Sequence, residues 1–202
     1  MPRSFGSENM EPSVNNLPLF ILPPVSYVKI LISTPQTTIA IGEKYIKQTF
    51  RTRFQIAGPN NLQQLSIPVI HPDKNSMMAE VVLDYNQNWN IKHWRSIETA
   101  YRKAPFFEFY AHYFEPLFTY KYYLLSEMNI ESLKIILKIL KSETKLVLQP
   151  DFCKTIDLKL KDNIQPYFQV FGERHGFLPN LSVLDLIFNE GPSAANYIKG
   201  VL

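Results

Sequence analysis

The pattern of hydrophobic and polar positions changes period along the chain. Residues 19–22 (LFIL) form a continuous apolar run closed by Pro23 and Pro24, which predicts a short buried strand. Residues 25–33 (VSYVKILIS) place apolar side chains at helical spacing up to a stop at Pro35, and residues 38–41 (TIAI) are β-branched. Strand, short helix and strand predict a parallel βαβ start. From residue 50 to 56 the period falls to two. Phe50, Thr52, Phe54 and Ile56 alternate with Arg51, Arg53 and Gln55, which puts both arginines on one strand face. Gly58, Pro59, Asn60 and Asn61 signal a turn, and residues 62–69 return as the second arm of a hairpin. A second turn at residues 72–75 leads to a further strand at 79–83.

The rest of the chain reads mainly as helix. Asn90 is a candidate cap for a helix to residue 103 with Ile91, Trp94, Ile97 and Tyr101 as its stripe. Pro105 fits the first turn of another helix, through about residue 117. Asn129 is a candidate cap for a third, over residues 130–141, with apolar Ile130, Leu133, Leu137 and Leu140 opposite solvated Lys134, Lys138 and Lys141. Residues 144–148 read as a short strand and 166–171 as strand or extended chain. Asn180 or Ser182 caps a last helix through residue 188, stopped by Gly191 and Pro192. The fold class is α/β or α+β, with an N-terminal sheet ahead of a mainly helical half. Residues 1–16 are polar and read as a flexible lead-in, and 17–202 as a single domain of ordinary size.

Composition narrows the function. The 7 glycines include no G-x-G pair and no Walker loop, so no dinucleotide fingerprint is present and no cofactor is expected. Any anion must be held by side chains. A net charge of +3 from dispersed residues does not point to nucleic acid. The apolar stretch at 17–32 is broken by Pro18, Pro23, Pro24 and Lys29, which excludes a bilayer span there, and it lacks the flanks of a signal peptide. With the single cysteine, Cys153, this favours a cytoplasmic location. No metal-ligand spacing occurs.

Four constellations and a lone cysteine carry candidate chemistry. Glu43, Lys44, Lys47, Gln48, Arg51 and Arg53 form the densest polar cluster. Two guanidiniums and an ammonium can hold a phosphate or carboxylate, with Glu43 ordering an arginine or acting as a base. The same residues also suit a solvated strand face and its lead-in. His93, beside Trp89 and Trp94, is a candidate base or a satisfied structural histidine. The aromatic window from Tyr101 to Tyr123 is core or a stacking surface. Ser182, Asp185 and Asn189 put polar atoms on one stripe of an apolar helix, which either lines a site or is pinned by a hydrogen-bond network. Cys153 has no histidine near it in sequence and is a weak nucleophile candidate.

These segments resemble the WbqC-like family of bacterial proteins. The first, Glu43 to Arg53 (EKYIKQTFRTR), is similar to a family pattern E-x-Y-x-K-Q-[ST]-[YF]-R-N-R, followed by a turn and Ile67-Pro68-Val69. The second runs from Asn88-Trp89 through His93-Trp94-Arg95-Ser96-Ile97 to Phe107. The third joins Tyr167-Phe168-Gln169-Val170-Phe171 to Asn180 through Pro192. Thr52 stands where the pattern has Asn and supplies a hydroxyl in place of an amide. The resemblance implies association with surface-polysaccharide (O-antigen-type) biosynthesis. It points to an enzyme, a transferase on an activated sugar, or to a non-catalytic binding module of polysaccharide assembly. The implied ligand is an anionic small molecule, of nucleotide-sugar type. Lys47, Gln48, Arg51, Arg53, Tyr167, Gln169, Ser182, Asp185 and Asn189 are the candidate binding residues, and Glu43 and His93 the candidate catalytic ones. The opening βαβ is analogous to nucleotide-binding folds.

Overall fold

The computed structural model describes residues 16–200 except 74, 159 and 161–163. The expected lead-in lies outside the described residues up to position 15, and Asn16 already belongs to the first strand. Strand β1 (Asn16–Pro18), helix α1 (Val25–Leu31) and strand β2 (Gln36–Ala40) form the parallel βαβ start, with Asn16 opposite Thr38. Strand β3 (Arg53–Gly58) and β4 (Asn61–Ser66) form the antiparallel hairpin, and β5 (Lys145–Gln149) joins β2 in parallel. The two sheets are β1-β2-β5 and β3-β4, so the class is mixed α/β.

The first strand precedes the apolar run. Residues 19–22 are buried and join no strand, with bends at Ile21 and at Leu22, whose φ is 40°. Their backbone partners lie outside the sheet. The Ile21 N–H donates to the Phe50 carbonyl at 3.0 Å, the Leu22 N–H to Ser132 Oγ at 3.4 Å, and the Leu19 carbonyl accepts from the Asn129 amide at 3.3 Å. Burial alone made this run look like a strand. The alternation read from residue 50 also holds only inside β3, where Phe54 and Ile56 are buried and Arg53 and Gln55 half-buried. Arg51 and Thr52 are both buried in the turn before it, so the two arginines do not share a strand face. Segment 79–83 is not a strand either. Met78–Glu80 forms a 3-10 turn in which Glu80 accepts from the Met77 N–H at 3.1 Å, and Val82 and Leu83 make isolated bridges to Leu124 and Val69.

Three helix starts differ from expectation. Helix α2 (Trp89–Tyr101) begins after Asn88, because the Asn90 amide is turned inward onto the Phe118 carbonyl at 2.8 Å. Its buried face carries Trp89, His93, Ile97 and Tyr101, while Ile91 is exposed. Helix α3 (Phe107–Thr119) starts beyond Pro105. Helix α4 (Leu125–Ile139) begins a full turn before Asn129, with Glu127 accepting from the Leu124 N–H at 3.1 Å. Asn129 is therefore no cap. It is fully buried mid-helix, donating to Leu19 and, at 2.9 Å, to the Arg51 carbonyl. The lysines of α4 are exposed as expected.

The C-terminal part adds α5 (Gly172–His175), α6 (Val183–Glu190) and α7 (Ala194–Lys199), so α6 is not the last helix. Ser182 caps α6 through the Leu184 N–H at 3.4 Å, and Gly191 ends it where Phe106 leaves no room for a Cβ. Residues 166–169 join no strand, and residues 170–171 turn into α5. Residues 183–189 are all buried, so α6 is a central core helix. The aromatic window divides. Tyr101, Phe107, Phe114 and Phe118 are core, while Phe109, Tyr120 and Tyr123 are exposed.

Asn129→Ala leaves two buried carbonyls with one partner fewer and opens a small void. We expect urea denaturation to show a loss of about 2–3 kcal/mol, against less than about 0.5 kcal/mol for exposed Lys134→Ala. Equal effects would show that Asn129 does not tie α4 to the loops it touches.

Candidate functional site

The polar cluster of residues 43–53 is organised by one buried ion pair. Glu43 follows β2, one residue after Gly42, whose missing side chain lets the chain pass against the Pro150 and Asp151 carbonyls. Arg51 lies in the turn before β3. Its Nε donates to Glu43 Oε1 at 2.9 Å and its Nη2 to Oε2, a bidentate fork, with side-chain exposures of 5% and 4%. Nη1 donates to Thr49 Oγ1 at 3.2 Å, and Thr155 Oγ1 donates to Glu43 Oε2 at 3.1 Å. The guanidinium carbon sits 5.6 Å from the Phe20 ring centroid. Of the two roles open to Glu43, ordering an arginine is the one this geometry displays. Burial, then the Glu43 carboxylate, pushes the neighbouring Tyr27 phenol far above its usual range, so it remains a neutral donor to the Pro18 carbonyl at 2.8 Å.

Beside this pair lies an open groove of about 740 Å³. Its lining includes Phe20, Ile46 and Phe50, the polar Gln48, Thr49 and Arg51, and the segment from Thr155 to Leu158. Pro18, the last residue of β1, lines it, so the groove lies beside the carboxyl end of β1. That is where open α/β sheets bind ligands. Gln48, on its rim, has a left-handed backbone at φ 62°, uncommon outside glycine and costly unless the surroundings hold it. Two of the five Arg51 N–H donors are not engaged by Glu43 or Thr49.

The other candidates are elsewhere. Lys47 is exposed and Arg53 half-buried in β3, and neither lines the groove. His93 is in α2 between Trp89, at 5.3 Å between ring centroids, and Phe54, at 6.2 Å. Burial pulls it down to about 4, so it is a neutral core imidazole at neutral pH. Tyr167, Gln169 and Asp185 form a second, internal cluster. The Tyr167 hydroxyl donates to Asp185 Oδ2 at 2.6 Å, and Gln169 Nε2 donates to the same oxygen at 2.8 Å and to the Leu178 carbonyl at 2.9 Å. The Leu178 N–H returns a bond to Gln169 Oε1 at 2.9 Å, and Asn189 donates to the Asp185 carbonyl at 2.8 Å. This network pins Tyr167 and Gln169 to α6, while Ser182 serves as cap. Cys153 is pushed up, by burial first and then by Glu43 and Asp151, which disfavours a thiolate nucleophile. Among the described residues no histidine, cysteine or carboxylate cluster could hold a metal ion.

Sequence reasoning missed Phe20, Thr49, Thr155 and Asp157 as groove residues, and Asn129 as the residue behind Arg51. Only Asn129 carried a signal, since Glu127 two residues earlier already marks a helix start.

The fold and groove define an α/β protein with a ligand-sized cleft beside the carboxyl end of the first strand of a small parallel sheet. The chain belongs to the WbqC-like protein family, whose model matches residues 20–165. It is similar to the uncharacterized protein Rv1507c of Mycobacterium tuberculosis (strain ATCC 25618 / H37Rv), at 23% identity over 215 aligned positions, covering 86% of this chain and 91% of the relative. No solved structure matches. No helix among the described residues is long and apolar enough to cross a membrane.

Two predictions follow from the buried charges. Arg51→Met strands the Glu43 carboxylate in the core and should cost about 3–5 kcal/mol in urea denaturation, much of it recovered in the Arg51→Met/Glu43→Leu double variant. Additive losses would contradict the pairing. The second concerns pH. Burial, opposed by bonds from Tyr167, Gln169 and Tyr101, pushes Asp185 from 3.8 up to about 6. Between those values the folded state holds the extra proton, so this group loses stability as pH rises. His93, lowered from 6.5 to about 4, is protonated first in the unfolded state, so its contribution rises with pH over that window. The slopes oppose. Relative to wild type, Asp185→Asn should lose stability on acidification from pH 6 to 4, and His93→Gln should gain it. Parallel stability–pH curves for all three proteins would refute both assignments.

Proposed function

We propose that the chain binds an anionic, nucleotide-sugar-like small molecule in the groove beside Glu43–Arg51 and acts on it as a transferase of bacterial surface-polysaccharide biosynthesis. The observation that carries this reading is the groove's lining, combined with its place beside the carboxyl end of β1 and the buried Glu43–Arg51 pair. Phe20 and Phe50 offer apolar and aromatic surface for a base or sugar ring. Gln48 and the unengaged Arg51 N–H groups offer donors, the Thr49 and Thr155 hydroxyls, whose protons already go to the Ile46 carbonyl and to Glu43, can only accept, and Lys47 adds exposed positive charge next to the rim. Asp157 is the groove's own carboxylate, suited to sugar hydroxyls and to accepting a proton. The cytoplasm, where activated sugars are made, is the matching location.

A specific observation also favours the binding-module reading. Glu43 is occupied by Arg51, and His93 does not line the groove, so of the charged groups first considered neither is placed as a base there. Asp157 therefore separates the two readings.

Calorimetry with a panel of uridine, thymidine and guanosine diphosphate sugars tests binding. A member of the panel should bind, and Lys47→Ala/Gln48→Ala should weaken it at least about tenfold, or 1.4 kcal/mol, with unchanged melting temperature. Asp157→Asn should keep binding but lose turnover if the protein is a transferase. Absence of binding across the panel would refute the ligand class.

A further inference from the structure

We propose that β5 is the seam of a symmetric dimer, in which two copies of this chain pair antiparallel along residues 145–149. The proposal is independent of the ligand reading, since the candidate groove includes β1 and no residue of β5.

The outer edge of β5 is open. The Lys145 N–H donates to the Pro35 carbonyl at 2.9 Å, and the Gln149 carbonyl accepts from the Ile41 and Gly42 N–H groups at 3.0 Å. The strand's period of two therefore directs the main-chain groups of Leu146 and Leu148 away from β2. Among the described residues nothing bonds to them. The side chains of Leu146 and Leu148 lie on the same sheet face as their β2 neighbours Thr37 and Ile39, which are buried. Leu148 is nevertheless 39% exposed. With Ile130, Lys134 and Leu137 of α4, the two leucines line an unfilled cleft of about 340 Å³. The core face of the sheet thus runs past its last strand. An added strand would continue it and close the cleft, the geometry of β-augmentation.

The sequence KLVLQ identifies the occupant as a second copy. Centred on Val147, antiparallel pairing sets Leu146 against Leu148 of the other copy, and the outward main-chain groups of both then bond reciprocally. Lys145 falls opposite Gln149, so no like charges meet across the seam. A shift of one residue sets outward against inward groups and bonds nothing. A shift of two sets a leucine against Thr144, whose N–H is already directed at Ser142 Oγ at 3.4 Å, or against Pro150, which has no N–H. Thr144 and Pro150 therefore delimit the ladder. Helix α4 flanks the seam and presents both signs of charge, Glu131 and Lys134, 3.5 Å apart. The interface is isologous and closes at two copies, giving one six-stranded sheet.

Val147 would face its own symmetry mate at a non-hydrogen-bonded position, where Cα atoms are about 4.5 Å apart and a disulfide fits. In a Cys153→Ser background, Val147→Cys should give a disulfide-linked dimer on mild oxidation, read on a non-reducing gel. Sedimentation equilibrium of the unmodified chain should give twice its 23.5 kDa mass. Leu148→Lys should return the mass to that of one chain and abolish the cross-link, with unchanged melting temperature. A monomer at micromolar concentration, or a dimer indifferent to Leu148→Lys, would overturn the proposal.

Discussion

Everything near the candidate site depends on keeping the Glu43 and Arg51 charges paired inside the protein. Two ions removed from water are tolerated only when their geometry is good and their remaining hydrogen-bonding groups are satisfied. Meeting that condition recruits most of the fold. Gly42 lets the chain leave β2 tightly enough to place Glu43, and the Glu43 carbonyl accepts from the Met78 N–H at 2.9 Å, which sets the 3-10 turn. Arg51 passes its carbonyl to Asn129 and so sets where α4 meets the core. Thr155 ties the segment after β5 to the same carboxylate. Elements far apart in sequence converge because one pair of charges needs partners from all of them.

That constraint reshapes the chemistry available in the groove. A free arginine would be a strong anion site, but Arg51 brings little net charge because Glu43 neutralises it. What remains is directional. A rigid guanidinium, with two donors unengaged and its orientation fixed, can select a ligand by shape and hydrogen bonding. Net attraction for an anion must then come from exposed lysines such as Lys47, which are screened by salt and mobile. On the proposed reading, the groove contributes orientation more than electrostatic strength, in keeping with a ligand that carries aromatic and hydroxyl groups as well as phosphate.

Much of the scaffold was legible because it is local. Helix α1, strand β2, the hairpin and β5 follow from periodicity and turn residues that act within a few positions, whereas the apolar run predicts the first strand at residues 19–22 and it lies at Asn16–Pro18. The errors share one physical cause. Residues 19–22, Asn90, Asn129 and Arg51 all have polar or backbone groups whose partners are distant in sequence, and local patterns score such groups as strand, cap or solvated face. Asn129 shows this well. An asparagine before an apolar stripe is a good cap by local rules, yet two carbonyls from other segments outweigh that preference. The Arg51–Arg53 alternation failed for the same reason, since a buried carboxylate eight residues earlier pulls Arg51 out of the strand period. The Asp185 stripe was read correctly as requiring partners, but Tyr167 and Gln169 could be joined to it only through the resemblance.

The C-terminal segment beyond the matched residues 20–165 is not peripheral to this arrangement. Ser182 donates its N–H to the Gln55 carbonyl at 2.8 Å, Val183 to Pro23 at 2.9 Å, and the Val25 N–H donates to Leu181 at 3.1 Å. Asn180 Oδ1 accepts from the Ser26 N–H at 3.0 Å. These bonds clamp the loop between β1 and α1 against β3 from one side, while Phe50 and Ser132 hold it from the other. The loop contains Phe20, which forms the groove wall over Arg51, and Leu22 with its left-handed backbone. A helix buried at every position from 183 to 189 cannot be removed without exposing the core. The groove's shape therefore depends on residues that lie outside the matched segment and do not line it, among them Asp185, which holds Tyr167 and Gln169 onto α6.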